Sequence, residues 1–268
     1  IIYTRSRIII RNKKFSFYHI NWNHGINIVI DYKIHKNKGE MVLVVKRIME
    51  TNVVEVIGKV STPMEFSHEM YGEGFYNFDL EVPRLSNSVD ILPVTISERL
   101  IVNMDLSIGS HVQIYGQLRS YNRYVDNTSR LVLTIFARDI RLLEDEEETK
   151  ELLKSPNEIF LDGYICKPPI YRTTPFGREI SDLLIAVNRA YNKSDYIPCI
   201  AWGRNARFCE KLLVGDHIKL WGRIQSREYQ KKYSNDVVET KVAYEVSISK
   251  LEYVENDNNR LDLCEEEA

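Results

Sequence analysis

Three aromatic residues in one stretch of this 268-residue chain are spaced for work on flat ligands: Tyr196, Trp202 and Tyr229. Cations are interleaved with them, at Arg189, Lys193, Arg204, Arg223, Arg227, Lys231 and Lys232. Aromatic rings stack on exposed base faces, each contributing roughly 1–3 kcal/mol per base, and cations hold the phosphates between them. The combination suits a single nucleic-acid strand. Such binding weakens as salt rises, because each phosphate contact releases counterions. A second group, Arg119, Tyr121, Arg123 and Tyr124, offers a similar aromatic and basic finger earlier in the chain.

These residues need a rigid frame, and the surrounding pattern supplies one. Residues 196–202 and 217–224 read as strands. Between them residues 204–213 read as a short helix closed by Gly215. Further strands are expected over 157–165, 180–188 and 241–251, with a turn at 173–178. The first half of the chain has the same plan. Strands are expected over 53–60, 75–82, 91–96, 111–118 and 131–141, a helix over 98–106 and a loop over 65–74.

The two halves keep a common spacing. Gly58 to Pro93 is 35 residues, as is Gly163 to Pro198; Gly109 to Gly116 is seven, as is Gly215 to Gly222. Val82-Pro83-Arg84 with Asn87 and Asp90 aligns with Val187-Asn188-Arg189, Asn192 and Asp195. An offset of about 105 residues repeated at so many points indicates a tandem duplication. Five strands with a helix between the third and fourth is the order of the OB-fold. The predicted fold class is therefore all-β, with two tandem OB-fold five-stranded Greek-key barrels. The first occupies residues 52–143 and the second 157–254. An acidic linker, 144–156, joins them, and an acidic, disordered tail, 255–268, follows. Residues 1–40 show no steady period, and residues 1–51 are expected to be a translated leader or a disordered extension. Lys38-Gly39-Glu40, just before Met41, can be encoded by a purine-rich ribosome-binding sequence.

Charge separates the two copies. Residues 52–143 hold 8 Lys/Arg and 11 Asp/Glu, whereas residues 157–251 hold 15 and 11. The positive copy is the one with the aromatic stretch, and the first copy has Ile91 and Ser97 where the second has Tyr196 and Trp202. The four cysteines form no CxxC pair and are expected to be reduced thiols in a cytoplasmic protein. The sequence contains no GxxxxGK, HExxH or GxSxG motif, so no enzyme, cofactor, metal or small-molecule substrate is expected. No apolar run is long enough for a membrane helix.

Thr174-Pro175-Phe176-Gly177, Leu184 to Arg189, Tyr196 to Gly203 and Gly222 to Tyr229 together resemble bacterial single-stranded DNA-binding proteins. The resemblance covers the second barrel directly and the first through the repeat and Gly116 to Tyr121. It implies stacking of bases on Tyr196, Trp202 and Tyr229, and a protein that coats single-stranded DNA in replication, recombination and repair. It also implies an assembly of four barrels, which a homodimer of this chain would supply. The tail ends Glu265-Glu266-Glu267-Ala268, without the Pro-Phe tip through which the family docks replication and repair proteins. Two other readings stand beside this one: an RNA-binding OB protein, and a replication-restart or protein-interaction module.

Overall fold

Strand formation follows alternation of apolar and polar residues around two buried centres. In this computed structural model the described residues are 19–20, 28–37, 40–86, 88–125, 128–232 and 238–255. They fall into two units, 1–50 and 51–268. In the first, strands β1 (His19–Ile20), β2 (Ile28–Asn37) and β3 (Glu40–Met49) pair antiparallel. The sequence reading expected no regular structure there.

The second unit contains both barrels. Barrel 1 is built from β4 (Asn52–Val60), β5 (Glu65–Met70), β6 (Glu73–Pro83), β7 (Val89–Ser97), α1 (Glu98–Ile101), β8 (His111–Val125) and β9 (Thr128–Leu142). Helix α2 (Glu146–Leu152) follows. Barrel 2 is built from β10 (Asn157–Ile165), β11 (Ile170–Thr173), β12 (Glu179–Asn188), β13 (Ser194–Trp202), α3 (Arg204–Cys209), β14 (His217–Lys232) and β15 (Val238–Tyr253). In barrel 1 the closed ring runs β4-β6-β7-β9-β8 and back to β4; in barrel 2 it runs β10-β12-β13-β15-β14 and back to β10. Among the described residues the only parallel pairings in the two rings are β7 with β9 and β13 with β15. Both rings are OB-folds, with the helix between the third and fourth ring strands.

Closure depends on glycine. A Cβ at Gly116 would lie 2.4 Å from the Phe136 carbonyl oxygen, and one at Gly222 would lie 2.2 Å from that of Ser247. The register of each long hairpin shifts at these two glycines, so each marks a bulge that turns the strand round the barrel corner. Buried aliphatic side chains, including Leu80, Ile96 and Ile114 in barrel 1 and Leu161, Ile185 and Ile218 in barrel 2, fill the interiors.

Several expectations are corrected. Residues 65–74, expected as a loop, form β5 and a two-residue turn at Tyr71 and Gly72, both with positive φ (53° and 76°). That geometry matches the twist of a tight hairpin. The linker is helical in part, because Asp145 caps α2 by accepting from the Glu148 N–H at 2.7 Å and three glutamates occupy its first turn. The helices α1 and α3 are shorter than expected, and β8, β9, β14 and β15 extend well beyond the barrel wall. Their outer ends are wet on both faces, so the alternation that marks a half-buried strand is lost there.

The barrels meet along their first strands. β4 pairs antiparallel with β10 in the register Asn52↔Leu161, Val54↔Ile159 and Val56↔Asn157. With the 105-residue offset, Asn52 corresponds to Asn157 and Val56 to Leu161. The register is thus its own mirror, centred on Val54↔Ile159, and the barrels are related by a pseudo-two-fold axis. Asn52 and Asn157 act alike, each continuing by its side chain the ladder to the neighbouring hairpin strand of its own barrel. Asn52 donates to the Leu118 carbonyl (2.8 Å) and accepts from its N–H (2.9 Å); Asn157 does the same with Ile224 (2.7 and 2.9 Å).

Among the described residues no helix is long and apolar enough to cross a membrane. Cys199 and Cys209 are buried free thiols, and burial raises both, Cys209 to about 12. The tail from 256 onward and Cys264 lie outside the described residues.

Candidate nucleic-acid interface

β13 alternates strictly at its ends. Ile197, Cys199 and Ala201 point into the barrel, while Tyr196 and Trp202 are 48% and 39% exposed on the outside. Register extends this outer face sideways. Ile200 lies beside Ser247 on β15, Ser247 beside Arg223 on β14, and further along the same two strands Ala243 lies beside Arg227 and Lys241 beside Tyr229. Cross-strand partners project to the same side of a sheet. Tyr196, Trp202, Arg227 and the 39% exposed Tyr229 therefore share one outer face of barrel 2. The chain turns at Gly203 (φ 54°), directly after Trp202, and begins α3 with the exposed Arg204. Lys193 is exposed at the start of the same sheet region. Lys231 and Lys232 belong to the backbone of β14, but their side chains lie outside the described residues. Arg227 remains more than half exposed, with a loose ion pair to Glu245 at 3.5 Å.

Three expected phosphate contacts are engaged by carboxylates at the seam, although Arg223 still borders the outer face beside Ser247. Arg119, Arg189 and Arg223 are drawn into the seam between the barrels by two buried carboxylates, Asp90 and Asp195. Asp195 accepts from the Ser120 N–H at 2.6 Å and pairs with Arg189 (2.8 Å) and Arg119 (3.1 Å). Asp90 accepts from the Ser226 N–H at 2.7 Å and pairs with Arg84 (2.6 Å) and Arg223 (3.4 Å). Each aspartate thus comes from one barrel and grips the hairpin strand of the other. Burial holds Arg119 and Arg223 below the usual arginine range, whereas hydrogen bonds to Asp90 raise Arg84. A buried carboxylate without cations would be costly, which is why the arginines are held here rather than presented outward.

In barrel 1, Tyr121, Arg123 and Tyr124 are exposed on the projecting β8–β9 hairpin. Arg123 stands directly opposite Arg130. Like charges placed opposite each other are destabilising, and sequence reading passed over Arg130. At the positions of Tyr196 and Trp202 the barrel 1 face carries Ile91 and Ser97, and a ring on that face, the half-buried Phe136, packs against the buried Phe75, on which His68 stacks. Ser97 is buried, donates to Glu73 and caps α1 by accepting from the Arg99 N–H. Thr95 is tied to Asn77 and Thr134.

Sequence reading also missed Tyr191. It is 95% exposed, in a turn where it and Asn192 both have positive φ (62° and 55°). The available signal was its position between Arg189 and Lys193.

Comparison with known proteins agrees with this geometry. Residues 156–253 match the model of the Single-strand binding protein family. Single-stranded DNA-binding protein B of Bacillus subtilis (strain 168) is 30% identical over 96 residues, which cover 32% of this chain and 82% of that protein. The chain belongs to the single-stranded DNA-binding protein family. Single-stranded DNA-binding protein 1 of Staphylococcus aureus (strain COL) is 33% identical over 93 residues, and the match spans 32% of this chain but only 56% of that family member's length. The crystal structure of wild-type single-stranded DNA binding protein from Thermus aquaticus superposes with a TM-score of 0.61 at 19% identity, covering 76% of this chain and 93% of that one. That coverage exceeds either barrel alone, so the shared fold takes in both copies.

Proposed function

We propose that this family member binds single-stranded DNA, and coats and protects it during replication, recombination and repair. One observation carries the reading: Tyr196, Trp202 and Tyr229 are exposed on a single outer face of barrel 2, with Lys193, Arg204 and Arg227 around them. Rings supply sequence-tolerant stacking and cations supply phosphate contacts. The action is binding rather than catalysis, in the cytoplasm where such strands arise. Gel-shift titration against oligo-dT, oligo-U and duplex DNA at two salt concentrations tests it. Tight binding to oligo-dT that weakens with salt supports the proposal. Preference for oligo-U would make the protein an RNA binder, and no binding to any strand would leave a protein-interaction module.

We also propose a homodimer. The β4–β10 pairing makes one sheet of six strands, β15-β14-β10-β4-β8-β9, across both barrels. Phe160 and Trp221 pack tilted against each other on its outside at 5.1 Å, with Lys250 4.5 Å from the Trp221 ring. A second copy laid on this face would complete a four-barrel assembly. Light scattering at twice the chain mass is the expected result, and a monomer mass removes the proposal.

A further inference from the structure

The hairpin that precedes the second ring strand of each barrel ends in an aromatic residue. These are Tyr71 in barrel 1 and Phe176 in barrel 2, 105 residues apart and each followed by a glycine with φ near 75°. Tyr71 is fully exposed and Phe176 is 92% exposed. The tips are thus an aromatic position kept in both copies, although those of Tyr196 and Trp202 are not.

The residue after the glycine reverses its charge. In barrel 1 it is Glu73, which accepts from Ser97 and pairs with Arg99. The hairpin there is tied down over the site that corresponds to Trp202, and it is acidic. In barrel 2 it is Arg178, which is exposed. Arg172 on β11 lies beside Ile180, and Ile180 lies beside Trp202, so the hairpin continues the same sheet outward from the stacking face. Its tip is braced. The Thr174 N–H donates to the Arg178 carbonyl (2.8 Å), the Gly177 N–H to the Thr174 carbonyl (2.9 Å), and the Arg178 N–H to the Thr174 hydroxyl (3.0 Å). Pro175 further fixes the backbone. An apolar ring held rigidly in water beside a cation is preorganised for a flat anionic ligand.

We propose that Phe176 and Arg178 form an outlying stacking and phosphate contact for the DNA strand beyond Trp202, and that Tyr71 does not serve the strand because the exposed Glu65 and Glu69 on its hairpin repel it. This rests on the reading of barrel 2 as a single-strand binder. The test is titration of the full chain with oligo-dT of about 5 and about 20 nucleotides, one near the short end of the range an OB-fold occupies and one beyond its long end. Phe176→Ala and Arg178→Glu should each weaken the longer strand about five- to tenfold, the low end of one stacking contact, and affect the shorter one less. Tyr71→Ala should stay within about twofold, and Phe176→Trp should bind normally with its fluorescence quenched by the strand. If Phe176→Ala stays within twofold while Trp202→Ala weakens binding more than fivefold, the hairpin proposal fails and the barrel 2 reading stands. If Trp202→Ala is also without effect, the barrel 2 reading falls with it. Equal losses in Phe176→Ala and Tyr71→Ala would overturn the distinction between the tips.

Discussion

Ser97 and Trp202 occupy the same place in two copies of one barrel, at the end of the third ring strand and just before the helix. Ser97 caps α1, donates to Glu73 and is buried. Trp202 precedes a helix that starts on Gly203 without a side-chain cap, and it projects outward. The same contrast recurs between Ile91 and Tyr196 and between Glu73 and Arg178. One copy uses these positions to stabilise itself and the other uses them to display rings and charge. The fold tolerates both because the outer face takes no part in the core.

The comparison has a symmetric part, the seam, and an asymmetric part, the face. The largest expected effect lies in the seam. Asp90→Ala and Asp195→Ala each leave two arginines without their buried partner, and each should cost about 3–5 kcal/mol of stability in denaturant unfolding. Near-equal losses sharpen the pseudo-two-fold description, and a loss in only one variant breaks it. The face comes next. Trp202→Ala should cost about 1–3 kcal/mol of oligo-dT affinity with little change in stability. Ser97→Ala should do the reverse, costing about 0.5–2 kcal/mol of stability through the lost cap while affinity holds. A drop in affinity for Ser97→Ala would show that the two faces are not divided as described. The smallest effect is in salt dependence. Arg204→Gln should reduce the slope of log affinity against log salt by about 0.7. Arg223→Gln should leave the slope unchanged and lower the unfolding midpoint instead. If Arg223→Gln moves the slope, that arginine belongs to the interface after all.

Much of this arrangement could be read in the chain. The 105-residue spacing marked both barrels, and the exposed Tyr196, Trp202 and Tyr229 could be picked out by residue type, although only strand register puts them on one face. What could not be read was contact at long range. Arg189 and Asp195 were visible as part of a repeated motif, but nothing in it showed that Asp195 meets Ser120, 75 residues earlier in the chain. A cation with a distant buried partner has the same local sequence as one facing water. β5 was passed over for a different reason: all six of its residues are exposed and a register shift lies between Phe66 and His68, so it has no inward-facing row to read. Tyr191 and Phe176 sit on turns, where neither period applies.

The mirror register of β4 and β10 has a consequence for dilution. Two separate chains joined by such a pairing would come apart as their concentration fell. Here both halves lie on one polypeptide, so each sees the other at an effective concentration set by the short connection between them rather than by the amount of protein. The seam should stay closed at any dilution. Under that condition substitutions can accumulate on one face without having to suit both partners of an identical pair, which is the circumstance in which Ser97 and Trp202 can differ.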